Sequence, residues 1–229
     1  VALSSDGARL AAGGYYNDGG GTDAGHVRVY EESGGAWTQL GDDINGEAAG
    51  DEFGRSVALS SDGSRLAVGG RGNDGGGTDS GHVRVFEESG GTWTQVGDDI
   101  NGEAAGDHFG WDVALSLNGT RLAAGGYLND ANGSNAGHVR VFEESGGTWT
   151  QVGTDIDGET ASDLFGISVA LSSDGTRVAA GAAANDTTGT DAGHVRVFEE
   201  SGGTWTQVGA NIDGEAASDY FGWSVALSS

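Results

Sequence analysis

Apolar positions along this chain fall in short runs at a period of two, each closed by glycine, asparagine or aspartate. Residues 82–88 (HVRVFEE) show it best: Val83 and Val85 face one way and their neighbours the other, as in a half-buried strand. Before them, residues 57–60 form a short apolar run ended by Ser61-Asp62-Gly63, a tight-turn signal. Residues 65–69 (RLAVG) can pair back on that run as a hairpin. A Gly/Asn/Asp-rich loop spans 70–81, and Ser89-Gly90-Gly91 is a second tight turn. Residues 92–97 (TWTQVG) make a fourth strand, and a longer loop covers 98–110. No window shows the ~3.6-residue period of an amphipathic helix. The pattern predicts an all-β unit, a four-stranded antiparallel meander.

The unit repeats. VALSSDGARLAAGG starts at Val1, and close copies start at Val57, Val113 and Val169, a spacing of 56 residues. The units are 1–56, 57–112, 113–168 and 169–224, with the start of a fifth at 225–229, so 1–229 reads as a single repeat domain with no linker. A lone four-stranded sheet cannot cover its own faces. Packing the sheets radially around an axis covers them, and that predicts a β-propeller with one four-stranded antiparallel blade per repeat. The first strand, VALS, is built from small residues and suits the crowded centre. The fourth carries Trp37, Trp93, Trp149 and Trp205 and suits the wide rim. Four blades can close a small ring, but 225–229 would then compete with 1–5 for the innermost slot. The surplus points to a segment of a longer array.

Composition narrows the partners. The chain has 35 acidic residues against 10 basic ones, all arginine, for a net charge of −25. Such a field repels nucleic acid and anionic membrane surfaces, and no apolar run is long enough for membrane insertion. It favours cations. With no cysteine there is neither a disulfide framework nor thiolate chemistry. The 46 glycines recur at fixed repeat positions, which marks turns and not disorder.

Three ordered blocks carry a family resemblance. Asp51, Phe53, Gly54, Ser56, Val57 and Ala58 are followed by residues 66–70 (LAVGG) and 81–86 (GHVRVF). The first block recurs at Asp107/Phe109/Gly110, Asp163/Phe165/Gly166 and Asp219/Phe221/Gly222. Together they resemble the FG-GAP repeat, known from the propeller head of integrin α chains and from secreted bacterial and algal proteins. The resemblance implies a propeller in a secreted or cell-surface setting, with adhesive, ligand-binding or scaffolding roles. The chain departs from the family in two ways. No proline follows the glycine or alanine at 14, 70, 126 and 182, and the family's Asp-rich calcium insertion between the first two strands is missing.

Antiparallel geometry says which face can work. The loop before the first strand and the loop after the second lie on one face, and these are the two long loops. Long loops on a rigid scaffold are where binding usually sits. Most positions are identical in all four units, yet the long loops vary: Tyr15-Tyr16 becomes Arg71-Gly72, Tyr127-Leu128 and Ala183-Ala184. Glu52 becomes His108, Leu164 and Tyr220, and Arg55 becomes Trp111, Ile167 and Trp223. The predicted binding face is therefore Tyr15, Tyr16, Arg55, Arg71, His108, Trp111, Tyr127, Tyr220 and Trp223. Relaxed packing at loop ends is the competing explanation.

Calcium is the strongest cofactor expectation. Asp43, Asn45, Glu47 and Asp51 offer oxygens at positions 1, 3, 5 and 9 of a run. The run recurs as Asp99/Asn101/Glu103/Asp107, Asp155/Asp157/Glu159/Asp163 and Asn211/Asp213/Glu215/Asp219. The alternative is that these carboxylates cap turns and pair with the repeated Arg9 and Arg28. Arg28, mid-strand, is read as paired to a neighbouring blade, and the repeated His26, His82, His138 and His194 as structural. Residues 70–75 match GxGxxG but lead to a strand, so no nucleotide site is assigned. Sequons at Asn118, Asn132 and Asn185 are candidate glycan acceptors. No nucleophile motif stands out, and no catalytic residue is assigned.

These readings predict an extracellular, non-enzymatic module for binding, adhesion or structural assembly, using the long-loop face. Its partners are protein or glycan ligands, or other copies of itself. The alternatives are a carbohydrate-active or other hydrolytic enzyme on the same face, and a purely structural filament or matrix protein.

Overall fold

A computed structural model describes residues 1–228, which contain strands, turns and loops but no helix. In the second unit the strands are Phe53–Leu59, Arg65–Gly70, His82–Ser89 and Thr92–Gln95. They pair antiparallel in chain order, with Leu59 opposite Leu66, Val68 opposite Arg84 and Glu88 opposite Trp93. The other three units repeat this register. The all-β, four-bladed architecture is the one expected.

Two features differ from the expectation. A two-residue strand, Ile100–Asn101, pairs with the start of the third strand through Ile100–Val83 and Asn101–His82. The first strand also begins earlier, at Phe53, because a bulge between Phe53 and Ser56 lets the pairing continue past an irregular step.

Adjacent sheets pack face to face along apolar seams. Ala11, Val27, Val29 and Ile44 of the first sheet meet Phe53, Val57, Leu66, Val68 and Phe86 of the second. Equivalent seams join the second sheet to the third and the third to the fourth. The repeated phenylalanine is the hub: Phe53, Phe109 and Phe165 are each 0% exposed. Burying a phenyl ring contributes roughly 2–3 kcal/mol. At the rim the indole N–H of Trp93 donates to the Leu40 carbonyl at 3.0 Å, and Trp149 and Trp205 repeat the contact with Val96 and Val152.

The short ion pairs across blades come from the Arg9 position. Arg9 reaches Glu88 at 3.1 Å, Arg65 reaches Glu144 at 2.9 Å and Arg121 reaches Glu200 at 3.3 Å. This corrects the assignment of Arg28, which forks onto Asp43 of its own unit with two 2.8 Å bonds. Only its later copies lean across, as in Arg84 to Glu47 at 3.7 Å.

Three seams serve four sheets. Among the described residues no apolar cluster joins the fourth sheet to the first, so the blades form an open arc. On the outer side of the fourth sheet Phe221 is 41% and Ile212 52% exposed. On the free side of the first, Leu3 and Trp37 face solvent. Residues 225–228 form no strand, so they do not displace Ala2–Leu3.

Candidate functional site at the axial mouth

First strands from all the units converge on the axis, and the two ends of that axis differ. At the tight-turn end, Leu3, Leu59, Leu115, Leu171 and Leu227 line a small space of about 160 Å³. Backbone bonds from Ser5 to Ser61, Ser61 to Leu117 and Leu117 to Ser173, each 2.8 Å, tie that end together from blade to blade. At the long-loop end a cavity of about 420 Å³ is lined by Arg55, Ser56, Trp111, Asp112, Ser168, Trp223 and Ser224, with valines behind them.

The two long loops do meet at this mouth. The Arg55 guanidinium lies 4.1 Å from the Trp111 ring centroid and 5.5 Å from that of Tyr15. Trp111 in turn packs on Tyr127, centroids 4.4 Å apart, and Arg71 approaches Trp111 at 5.4 Å. Arg71 forks onto Glu52 with bonds of 2.7 and 2.6 Å. Its remaining amino group sits 3.4 Å from His108 Nδ1, and the Tyr127 hydroxyl lies 3.5 Å from the same atom. A guanidinium only donates, so this geometry fits a neutral His108 with its proton on Nε2. Burial, reinforced by the Arg71 charge, lowers the His108 pKa, and burial raises that of Tyr127.

Eight of the ten arginines occupy the Arg9 and Arg28 repeat positions. The two left over, Arg55 and Arg71, both land in this cluster. Arg71 is neutralised by Glu52. Among the described residues Arg55 has no ion pair and no side-chain hydrogen bond, so its donors are free at the edge of the cavity.

Of the nine residues predicted for the binding face, six assemble here: Tyr15, Arg55, Arg71, His108, Trp111 and Tyr127. Tyr16 stacks on Tyr15 at 4.3 Å and faces solvent. Trp223 reaches the cavity from the segment that follows the fourth sheet, with Tyr220 beside it at 6.5 Å. Glu52, His108, Leu164 and Tyr220 share one repeat position and one backbone strain, φ between 50° and 57°. That left-handed turn is costly for residues other than glycine, and it occurs in every unit just where the side chain varies.

Sequence reasoning did not single out Asp112. Its column holds Ser56, Ser168 and Ser224, and the one departure was the available signal. The Asp112 carboxylate accepts from Ser56 Oγ and from the Val169 amide, each at 2.8 Å, and so links three units at the axis. Burial raises its pKa despite those bonds.

The expected calcium runs do not gather as rings of oxygens, and each position of the run goes elsewhere. At its last position Asp51 is buried in its own turn, accepting from the amides of Glu47 and Ala48, and Asn73 donates to it at 3.3 Å. Asp107, Asp163 and Asp219 cap the equivalent turns. At the first position Asp43 is held by Arg28, whose hydrogen bonds push its pKa down to about 2. At the third, Asn45, Asn101, Asp157 and Asp213 lie in the two-residue strand, opposite the histidine of their own sheet. The glutamates turn away from the runs that contain them. Glu47 and Glu103 lie with residues of the following sheet, near His82 with Asp99 and His138 with Asp155. Glu159 also crosses to the following sheet, where its carboxylate accepts from the Asn211 amide at 2.8 Å and lies 3.8 Å from Arg196. Glu215, on the outermost loop, has no such sheet to reach and stays exposed, with no ion pair among the described residues.

Among the sequons, Asn118 and Asn132 are exposed. Asn185 is 3% exposed and donates to Asp163 at 3.0 Å, so it is no acceptor in the folded chain.

Comparison with known proteins places the fold. No curated protein matches the chain. Among solved structures, a Bacteroides uniformis protein assigned as a 6-phosphogluconolactonase is similar at 16% identity and a TM-score of 0.61, over 92% of this chain and 53% of its own. The periplasmic gluconolactonase PpgL of Pseudomonas aeruginosa is similar at 19% identity and 0.61, over 93% and 56%. The β-propeller domain of Myceliophteria thermophila Cps50 (Swd1) follows at 12% and 0.51, over 92% and 55%. The chain thus spans about half the length of these structures, and at such identities the likeness shows the fold alone. Two of these three neighbours are described as lactonases, so the expectation of a non-enzymatic module does not stand on this fold. The FG-GAP repeat family matches residues 45–86 and 101–142. That match bears out the FG-GAP resemblance over those two stretches, within a chain whose fold is a β-propeller.

Proposed function

We propose that this propeller module works outside the cell and that its axial mouth binds an acidic saccharide, in adhesion or in building an extracellular matrix. The observation that carries the reading is Arg55. In a chain with 35 acidic residues it keeps its guanidinium free of any carboxylate, backed by Trp111 and Tyr15. A guanidinium fork matches a carboxylate, and indole and phenol rings offer flat faces for a sugar ring. The hydroxyls of Ser56, Ser168 and Ser224 supply further donors and acceptors around the cavity.

The test is titration of uronic-acid oligosaccharides and their carboxyl-reduced counterparts, followed by tryptophan fluorescence and calorimetry. The acidic series should bind and the reduced series should not, and Arg55→Gln should erase the difference. Equal binding of the two series, or an indifferent Arg55→Gln, overturns the reading.

A hydrolytic reading at the same mouth is supported by Asp112, a half-buried carboxyl of raised pKa in the cavity wall, and by the lactonase descriptions of two neighbours. Opening a sugar lactone yields a sugar carboxylate, the group Arg55 suits. Incubation with aldonolactones should then show turnover that Asp112→Asn abolishes. Hydrolysis at the uncatalysed rate sets this second reading aside.

A further inference from the structure

The seams hold a second chemistry, away from the axis. His82 opens the third strand of its sheet and is 0% exposed, edge-on to Phe53. Neither of its ring nitrogens has a hydrogen-bond partner, and the same holds for His138 one unit on. A buried polar atom without a partner is costly and calls for an explanation. Around His82 Nδ1 stand Asp99 of its own unit and Glu47 from the loop of the preceding one. Asp155 and Glu103 stand in the same way around His138. The ligating atoms of each trio lie within 4.8 Å of one another.

The distances fit a shared cation better than a hydrogen bond. His82 Nδ1 is 3.5 Å from Asp99 Oδ2, and His138 Nδ1 is 3.6 Å from Asp155 Oδ2. Hydrogen bonds of this kind run ~2.7–3.2 Å. Two ligands on one tetrahedral zinc ion, each bonded at ~2.1 Å, stand ~3.4 Å apart.

The fourth unit is an internal control. There Asn211 replaces the aspartate, and its amide nitrogen comes within 3.4 Å of His194 Nδ1. The same amide holds Glu159, the counterpart of Glu47 and Glu103. The orphaned Nδ1 disappears, and only Nε2 of His194 stays without a partner. In the first unit His26 faces Asp43, which Arg28 already holds, and among the described residues no glutamate joins them.

The geometry points to two equivalent divalent-cation sites, Glu47/His82/Asp99 and Glu103/His138/Asp155, each bridging two blades. One imidazole and two carboxylates suit a borderline ion such as Zn²⁺, with water completing the shell. Ca²⁺ asks for six to eight oxygens, which this set does not provide. Arg84 lies 3.6 Å from Asp99 and 3.7 Å from Glu47, and its own bonds to Gln95 and the Asn45 carbonyl hold it alongside. Its single charge leaves that pair of carboxylates net negative for the ion to balance, and Arg140 stands in the same way 3.7 Å from Glu103 and 3.8 Å from Asp155.

The test starts from chelator-stripped chain and adds Zn²⁺, read by calorimetry and by thermal melting. Two equivalents should bind and raise the melting temperature, while Ca²⁺ at equal concentration should do neither. Asp99→Asn copies the residue that the fourth unit already carries, so it should fold, and it should bind one equivalent. Adding Asp155→Asn should remove the second. Imidazole nitrogen NMR should show Nδ1 as the ligated atom in both histidines. Two equivalents retained in the double variant, or no zinc binding by the parent chain, overturns the assignment.

Discussion

Gly69 lies flat against Gly110 of the next blade, so close that a Cβ on Gly69 would fall on the Gly110 carbonyl oxygen. Gly13 with Gly54, Gly125 with Gly166 and Gly181 with Gly222 repeat the contact. The second strand of each blade meets the glycine of the following Phe-Gly pair backbone to backbone, which is why both positions carry glycine. Gly69→Ala forces two backbones apart in a closed seam. The expected loss is about 3 kcal/mol, read as a lower urea midpoint. Gly90→Ala is the contrast. Its φ is +61° with open space around it, so only the left-handed strain of ~1–2 kcal/mol applies. Equal losses at the two positions would remove the seam as the cause.

Asp112 ties pH to stability. An unfolded aspartate titrates near ~3.9, and in the folded chain burial raises the value. Between the two values the folded state holds the extra proton. The contribution is therefore fully present below the unfolded value and is lost as pH rises through the folded one. Asp112→Asn, neutral at every pH, should melt higher than the parent at pH 7. The difference should shrink as pH falls toward 4. A difference that stays constant between pH 4 and pH 8 would place the effect in packing and not in charge.

His108 titrates in the opposite sense. Burial and the facing Arg71 lower its pKa, with Asp79, Glu52 and Asp107 opposing. Its protonation therefore costs stability as pH falls below its unfolded value of ~6.5. Arg71→Gln removes one of the two causes, so His108 should titrate higher in that variant while remaining below an exposed histidine. Proton NMR of the ring signals reads this directly. An unchanged titration would mean that Arg71 does not face the ring in solution.

Much of the fold was legible because each unit hides its apolar face against a neighbour of the same sequence, so pattern and packing carry one period. The strands at residues 65–69, 82–88 and 92–97, and the meeting of two long loops at one face, follow from alternation and antiparallel chain direction. The strand Ile100–Asn101 was not legible, because two residues show no period. The start of the first strand at Phe53 was hidden by a bulge that breaks the alternation. The acidic run from Asp43 to Asp51 looked like a ligand loop because its spacing is regular. Its members instead divide between a turn cap, an arginine fork and the next sheet's histidine, a partition set by contacts 35 to 52 residues apart: Glu47 to His82 and Glu47 to Asp99. Glu159 and Glu215 occupy the same place in their runs, yet one finds Asn211 on the next sheet and the other finds solvent. Arg55 and Arg71 were found as variable positions. That one would be neutralised and the other left free depends on Glu52 turning toward Arg71, which no spacing encodes.

The open arc makes one residue type a measure of what a second flanking sheet contributes. Phe109 and Phe221 occupy the same repeat position, with the same flanking glycine and the same parallel bridge to the preceding sheet, at Gly81 and Gly193. Phe109 is fully enclosed by the seam between the second and third sheets, whereas Phe221 has a sheet on one side only. Phe109→Ala removes a closed ring and leaves a cavity, so it should cost about 3–5 kcal/mol. Phe221→Ala leaves no cavity, since water already reaches that site, and it should cost less than half as much. Chemical denaturation of the two variants at micromolar and at tenfold higher concentration separates the causes. If Phe221→Ala costs as much as Phe109→Ala, and does so independently of concentration, the outer face of the fourth sheet is covered within the same molecule in solution, and the arc is closed there.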